Sequence, residues 1–278
     1  MNDSPFTIPG LDLGGGGAVL HFAHANGYPA GAYRRFLAPF LPHYRVLAIE
    51  QRPLWPGREP AEVQSWHILA DDLLAYFDQQ RLERVIGVGH SLGAIVSWLA
   101  GVARPEQFAA LVLIEPVLLP PFVFELAASQ PDLFANQPHT EVARKRRACW
   151  PSRQAAFDHF REKAVFERWP AETLWDYVHE GLEPQGTAGY CLRFSPAWEA
   201  QIYSAPPLDL WQQLPKLTRP VLIIRAAESN TLRPEVWQTL PGLLPEATLL
   251  EFPAAGHLLP MEQPQILAQS VLKWLKSI

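Results

Sequence analysis

The chain has 278 residues, 48% of them hydrophobic and 18% charged, with a formal net charge of −5. That much apolar material excludes a disordered chain, and an acidic balance without a basic stripe leaves no footprint for nucleic acid. No apolar run reaches the roughly 18 residues of a spanning helix, and MNDSPFTIPG lacks the basic and apolar regions of a signal peptide, so a cytoplasmic protein without membrane partners is expected.

In chain order, the glycines Gly14–Gly17 suit a tight turn, and Ala18–Ala23 (AVLHFA) reads as a short strand ending in the turn-rich HANGYPAG. Ala30–Leu41 reads as a helix, Tyr44–Glu50 (YRVLAIE) as a strand and QRPLWPGREP as a loop. Ser65 stands where it can cap an amphipathic helix running to Gln80. Arg84–Gly89 (RVIGVG) predicts a strand followed at once by a helix from Ser91 to about Ala103, and Ala109–Glu115 (AALVLIE) predicts another buried strand. Nearly continuous apolar runs alternating with helices predict an α/β fold with a mostly parallel sheet covered on both faces.

The alternation stops at Pro116. As far as Pro207 the chain turns aromatic and helical, then resumes with a strand at Pro220–Ala226, a helix near Pro234–Leu240, a strand at Ala247–Phe252 and a last amphipathic helix, Gln265–Ile278. The expected organisation is a core of residues 1–116 and 207–278 and a helical cap at 117–206, inserted after the strand ending at Glu115. Such an insertion lies over the carboxyl ends of the strands, where open α/β sheets hold ligands. Within it, the run Arg144–Arg147 is expected on a solvated helix face. Cys149 and Cys191 do not make a disulfide framework; one bridge is conceivable, and free buried thiols are the expectation.

Gly89-His90-Ser91-Leu92-Gly93 matches G-x-S-x-G between a strand and a helix. A serine held in that sharp turn projects its hydroxyl above the sheet, and the glycines are needed because a Cβ on either side would clash. The helix N-terminus behind it brings N–H groups and a positive dipole end towards developing negative charge, and the N–H of Leu92 is one oxyanion donor. On this motif in this setting the chain resembles the α/β-hydrolase superfamily, in its capped branch of serine esterases, C–C bond hydrolases and dehalogenase-like enzymes. The resemblance covers nearly the whole chain, and in the cap it is architectural only.

The resemblance implies a catalytic histidine after the last strand, at His257 in FPAAGH; an imidazole titrates close enough to neutrality to serve as base for a hydroxyl. It also implies an oxyanion loop at His24-Ala25-Asn26-Gly27, with the Asn26 backbone N–H as second donor, its side-chain amide an optional third. The third member of the triad is harder to place. In the superfamily's usual position, after Val221–Arg225, this chain carries Asn230, which bears no charge, and Glu228 sits two residues early. Some dehalogenase-like members use instead the end of the strand after the nucleophile helix, where this chain has Glu115. Glu115 is favoured as the acid, Glu228 is the alternative, and a degenerate triad stays open.

Serine at position 91, where related dehalogenases and epoxide hydrolases use aspartate, implies acyl transfer through an acyl-enzyme. The aromatic cap suits an apolar small-molecule substrate, with Arg52 and Trp55 as candidates for the pocket mouth. No metal-binding or phosphate-binding motif is present, so no cofactor is expected, and a monomer or homodimer is. Two other functions fit the same pattern: a non-catalytic small-ligand-binding protein, resembling hormone receptors on this fold, and a perhydrolase or haloperoxidase-like activity.

Overall fold

The computed structural model describes residues 6–130 and 132–278; the first five residues, on which part of the signal-peptide reading rests, lie outside them. The core begins with β1 (Gly10–Gly14), β2 (Val19–Ala23), the short α1 (Arg34–Leu37), β3 (Arg45–Ile49), α2 (His67–Gln80), β4 (Val85–His90), α3 (Leu92–Ala103) and β5 (Phe108–Ile114). The segment expected as a cap carries α4 (Pro121–Ser129), α5 (Pro138–Lys145), β6 (Cys149–Trp150), α6 (Arg153–Arg161), α7 (Ala171–Gly181), β7 (Leu182–Pro184), β8 (Tyr190–Leu192) and α8 (Pro196–Ser204). The core then resumes with α9 (Leu210–Gln213), β9 (Val221–Ala226), α10 (Pro234–Trp237), α11 (Leu240–Leu243), β10 (Thr248–Phe252), α12 (Leu259–Glu262) and α13 (Pro264–Leu275).

Seven strands form one sheet in the order β1-β3-β2-β4-β5-β9-β10. All neighbours in it run parallel except β1, which lies antiparallel on β3. Both faces are covered, and the strands divide their side chains between two cores with the period of two that a strand imposes. In β5, Leu111 and Leu113 join the core under α2 and α3, whereas Val112 and Ile114 join the one closed by α13. Every residue of β4 is buried, which fits its place in the middle of the sheet.

Several elements depart from the sequence expectation. β1 (GLDLG) is too glycine-rich to declare itself. The helix expected over Ala30–Leu41 is broken into 3-10, α and 3-10 turns, because Pro39 cannot donate the backbone bond a continuous helix needs. Pro241 divides the helix expected near 234–240 into α10 and α11 in the same way.

The inserted segment is not purely helical. β6, β8 and β7 form a small antiparallel sheet in which Cys149 pairs directly with Cys191. Free thiols were expected, and the structure corrects this: the two cysteines are joined as a disulfide across 42 residues of sequence. Closing a loop of that length stabilises by about 4 kcal/mol in the chain-entropy account. No described helix is long and apolar enough to cross a membrane.

Candidate active site

β4 ends at His90 and α3 begins at Leu92, so Ser91 alone makes the reversal, with φ 55° and ψ −115°. A left-handed φ costs a residue with a Cβ about 1–3 kcal/mol and persists only where the surroundings enforce it. Here they do. A Cβ on Gly93 would lie 2.1 Å from the Ala23 carbonyl oxygen at the end of β2, and one on Gly89 would lie 2.3 Å from the Gly93 oxygen. The Ser91 N–H donates to the Ile114 carbonyl at 2.9 Å, tying the turn to the end of β5. Ser91 is 6% exposed.

His257 lies in the loop between β10 and α12. Its Nε2 is 2.9 Å from Ser91 Oγ and its Nδ1 is 3.0 Å from Glu115 Oε2. Glu115 follows β5 with φ 49° and is wholly buried. Its carboxylate also accepts from the Ala226 N–H at 2.5 Å and from the Ser229 hydroxyl. A carboxylate that accepts from His257 Nδ1–H leaves Nε2 with a free lone pair facing the serine hydroxyl, the arrangement a general base requires.

The alternatives for the acid lie elsewhere. Glu228 is exposed and pairs with Arg168 of the segment expected as a cap, and Asn230 is exposed. Ser229, between them, was missed by sequence reasoning: a serine in a Ser-Asn-Thr loop gives no sign that it faces a glutamate 114 positions away.

The loop expected to meet an oxyanion is held by its own histidine. His24 Nε2 accepts from the Gln51 N–H at 3.1 Å, so its proton is on Nδ1, which donates to the Ala25 carbonyl at 2.9 Å. The Tyr28 N–H reaches the same carbonyl at 3.3 Å. Since C=O and N–H point oppositely across a trans peptide, anchoring the Ala25 carbonyl turns the Asn26 N–H the other way. The Asn26 side-chain amide gives one of its two N–H groups to the Glu199 carbonyl of α8 at 3.1 Å.

Of Arg52 and Trp55, expected at the pocket mouth, Trp55 joins the core under α2 and α3 and Arg52 is partly buried. Arg52 is held between Asp72 and Glu62 and lies over the Trp55 ring at 5.2 Å. Trp55 is 5% exposed and donates its indole N–H to the Glu50 carbonyl. The run Arg144–Arg147 also divides: Arg144 and Lys145 pair with Glu141 at the surface, whereas Arg146 turns inward to Glu199 and, at 3.1 Å, to the Tyr177 hydroxyl. This inward pair backs the His24–Gly27 loop, beside which Tyr28 lies 5.3 Å from Tyr177 and 5.9 Å from Trp169, ring to ring. Among the described residues, no group of three or more His, Cys, Asp or Glu is placed to hold a metal ion.

His21, His24 and His90 are completely buried. Burial pushes His21 down to about 3 and His24 to about 4, and holds His90 well below the ordinary histidine range. Unfolded histidines titrate near ~6.5, so below that pH the unfolded chain takes up protons the folded chain refuses. The contribution of these rings is intact above about pH 6.5 and drains as pH falls towards their folded values, by about 1.4 kcal/mol per ring per pH unit. Burial raises Glu199 and Asp72; they protonate more readily in the folded state and offset part of the loss. Urea denaturation is expected to show about 2–4 kcal/mol less stability at pH 5.5 than at pH 7, and a flat profile would contradict the buried neutral rings.

Comparison with known proteins gives one family and a consistent set of relatives. The chain matches the model of the Alpha/beta hydrolase family over residues 22–270. It is 22% identical to the uncharacterized hydrolase YugF of Bacillus subtilis over 98% of this chain and 97% of that one. It is 34% identical to epoxide hydrolase A of Mycobacterium tuberculosis over a shorter stretch, 38% of this chain and 34% of that one. Among solved structures it superposes on E-2-(acetamidomethylene)succinate hydrolase with a TM-score of 0.77 at 19% identity, covering 95% of this chain and 93% of that one. The chain belongs to the alpha/beta hydrolase family.

Proposed function

We propose that this member of the alpha/beta hydrolase family is a serine hydrolase that cleaves an ester, or a related acyl or C–C bond, of a small to medium, largely apolar substrate. The observation that carries the reading is the unbroken line Ser91 Oγ, His257, Glu115, with contacts of 2.9 and 3.0 Å, at the N-terminus of α3. Ser91 Oγ attacks the acyl carbon and gives its proton to His257 Nε2. The backbone N–H groups of Leu92 and Asn26 receive the oxyanion, and Glu115 stabilises the imidazolium that forms. Collapse expels the leaving group, which takes the proton from His257. Water, deprotonated in turn by His257, then hydrolyses the acyl-enzyme and restores Ser91.

The aromatic rings beside Tyr28 support an apolar acyl group. The alternative of a non-catalytic ligand-binding protein drew its force from Asn230 in the usual place of the acid, and Glu115 at His257 Nδ1 supplies that carboxylate from another strand. A fluorophosphonate probe is expected to label the protein once, on the peptide bearing Ser91, and to abolish turnover of p-nitrophenyl butyrate in step. Absence of both labelling and turnover would replace the hydrolase reading with the ligand-binding one.

A further inference from the structure

We propose that His90, the variable residue inside the elbow motif, is a positioning residue that ties the oxyanion loop to His257 through one directional chain of hydrogen bonds. This rests on the serine-hydrolase reading above and adds to it a residue that touches neither substrate nor reacting atoms.

The chain has three links. The Ala25 N–H donates to the Tyr33 hydroxyl at 3.2 Å, the Tyr33 hydroxyl meets His90 Nδ1 at 2.8 Å, and His90 Nε2 meets the His257 carbonyl oxygen at 2.8 Å. Its two ends fix its direction. An amide N–H can only donate and a carbonyl oxygen can only accept, so Nε2 of His90 carries a proton. Burial keeps the ring uncharged, so Nδ1 has a lone pair and the tyrosine must give it the hydroxyl proton. Tyr33 is 1% exposed and His90 is fully buried, so bulk water is not at hand to replace a lost link.

What the chain joins is the argument for its role. One end fixes the His24–Ala25 peptide, the one just before the peptide that carries the Asn26 N–H, proposed to meet the oxyanion. The other fixes the backbone of the residue whose Nε2 faces Ser91. His90 itself immediately precedes Ser91, so nucleophile, base and oxyanion loop are all referenced to a single ring. Rate depends on that registry, because a misplacement of about 1 Å can cost about 10²-fold.

The test uses wild type, His90→Leu, His90→Gln, Tyr33→Phe and the His90→Leu/Tyr33→Phe double variant, assayed on p-nitrophenyl butyrate and with benzeneboronic acid, which forms a tetrahedral adduct with an active serine. His90→Leu is expected to lower kcat by about 10²-fold and to raise the boronate inhibition constant in proportion, with KM within about threefold. Glutamine keeps an N–H for the His257 carbonyl, and His90→Gln should recover at least about tenfold of the loss. Tyr33→Phe should cost about tenfold, and the double variant should be no slower than His90→Leu alone, because both cuts break one chain.

Losses that multiply in the double variant, or a His90→Leu kcat within about twofold of wild type, would overturn the proposal. Should His90→Leu fail to fold, Tyr33→Phe decides by itself, an unchanged kcat counting against. A wild type that neither turns over the ester nor takes a fluorophosphonate overturns the underlying hydrolase reading and this inference with it. A fully active wild type with indifferent variants overturns this inference alone.

Discussion

Ser91→Ala is expected to lower kcat for p-nitrophenyl butyrate by about 10⁶-fold, leaving only what binding and the oxyanion donors contribute without a nucleophile. The size follows from the geometry. Ser91 Oγ is the one hydroxyl within reach of His257 Nε2 among the bonds of the described residues, and the two act as a unit, so removing the first leaves the second with nothing to deprotonate. Fold should survive, because alanine meets the same backbone demand at φ 55° as serine does, and because the neighbouring glycines that permit the turn are untouched. Circular dichroism and melting should therefore match wild type while the fluorophosphonate adduct disappears. Residual activity within about tenfold of wild type would mean that another group carries the acyl transfer, and the nucleophile assignment would fall.

How far the sequence revealed all this depended on whether a feature was local. The elbow declares itself because its constraints are packed into five residues: strand, two obligatory glycines, serine and helix start. Glu115 could be singled out because a carboxylate ending an apolar strand is costly to bury unless partnered, and the structure gives it three donors. The groups that escaped notice have partners far along the chain. Ser229 reaches back 114 positions and Tyr33 forward 57, and Arg146 meets Glu199 across 53. No period or motif encodes such pairs. The small sheet of the inserted segment was invisible for another reason: strands of two or three residues are too short for alternation to register. Arg52 was singled out because a loop after a strand end is where pocket residues often lie, and nothing local told of its pairs with Asp72 and Glu62.

Glu115→Gln should lower kcat by about 10⁴-fold with little change in KM, whereas Glu228→Gln should leave both within about twofold. The glutamine is close in shape, so the loss has to come from protons. At present the carboxylate accepts from the Ala226 N–H, the Ser229 hydroxyl and His257 Nδ1–H together. An amide can offer its oxygen to Ala226, but its NH₂ then faces Nδ1. The imidazole answers by accepting there and carrying its proton on Nε2, turned towards Ser91, where a base is needed and a donor is useless. The charge that would stabilise an imidazolium is lost in the same step. Glu228, by contrast, pairs with Arg168 where both side chains are about half exposed, at 46% and 48%, and an exposed pair of that kind is worth little. A collapse in Glu228→Gln with a mild effect in Glu115→Gln would move the acid's role to the loop after β9. Activity retained in both, to within about tenfold, would mean that His257 works without a carboxylate partner and that the buried Glu115 serves only to join β5 to the Ala226–Ser229 turn.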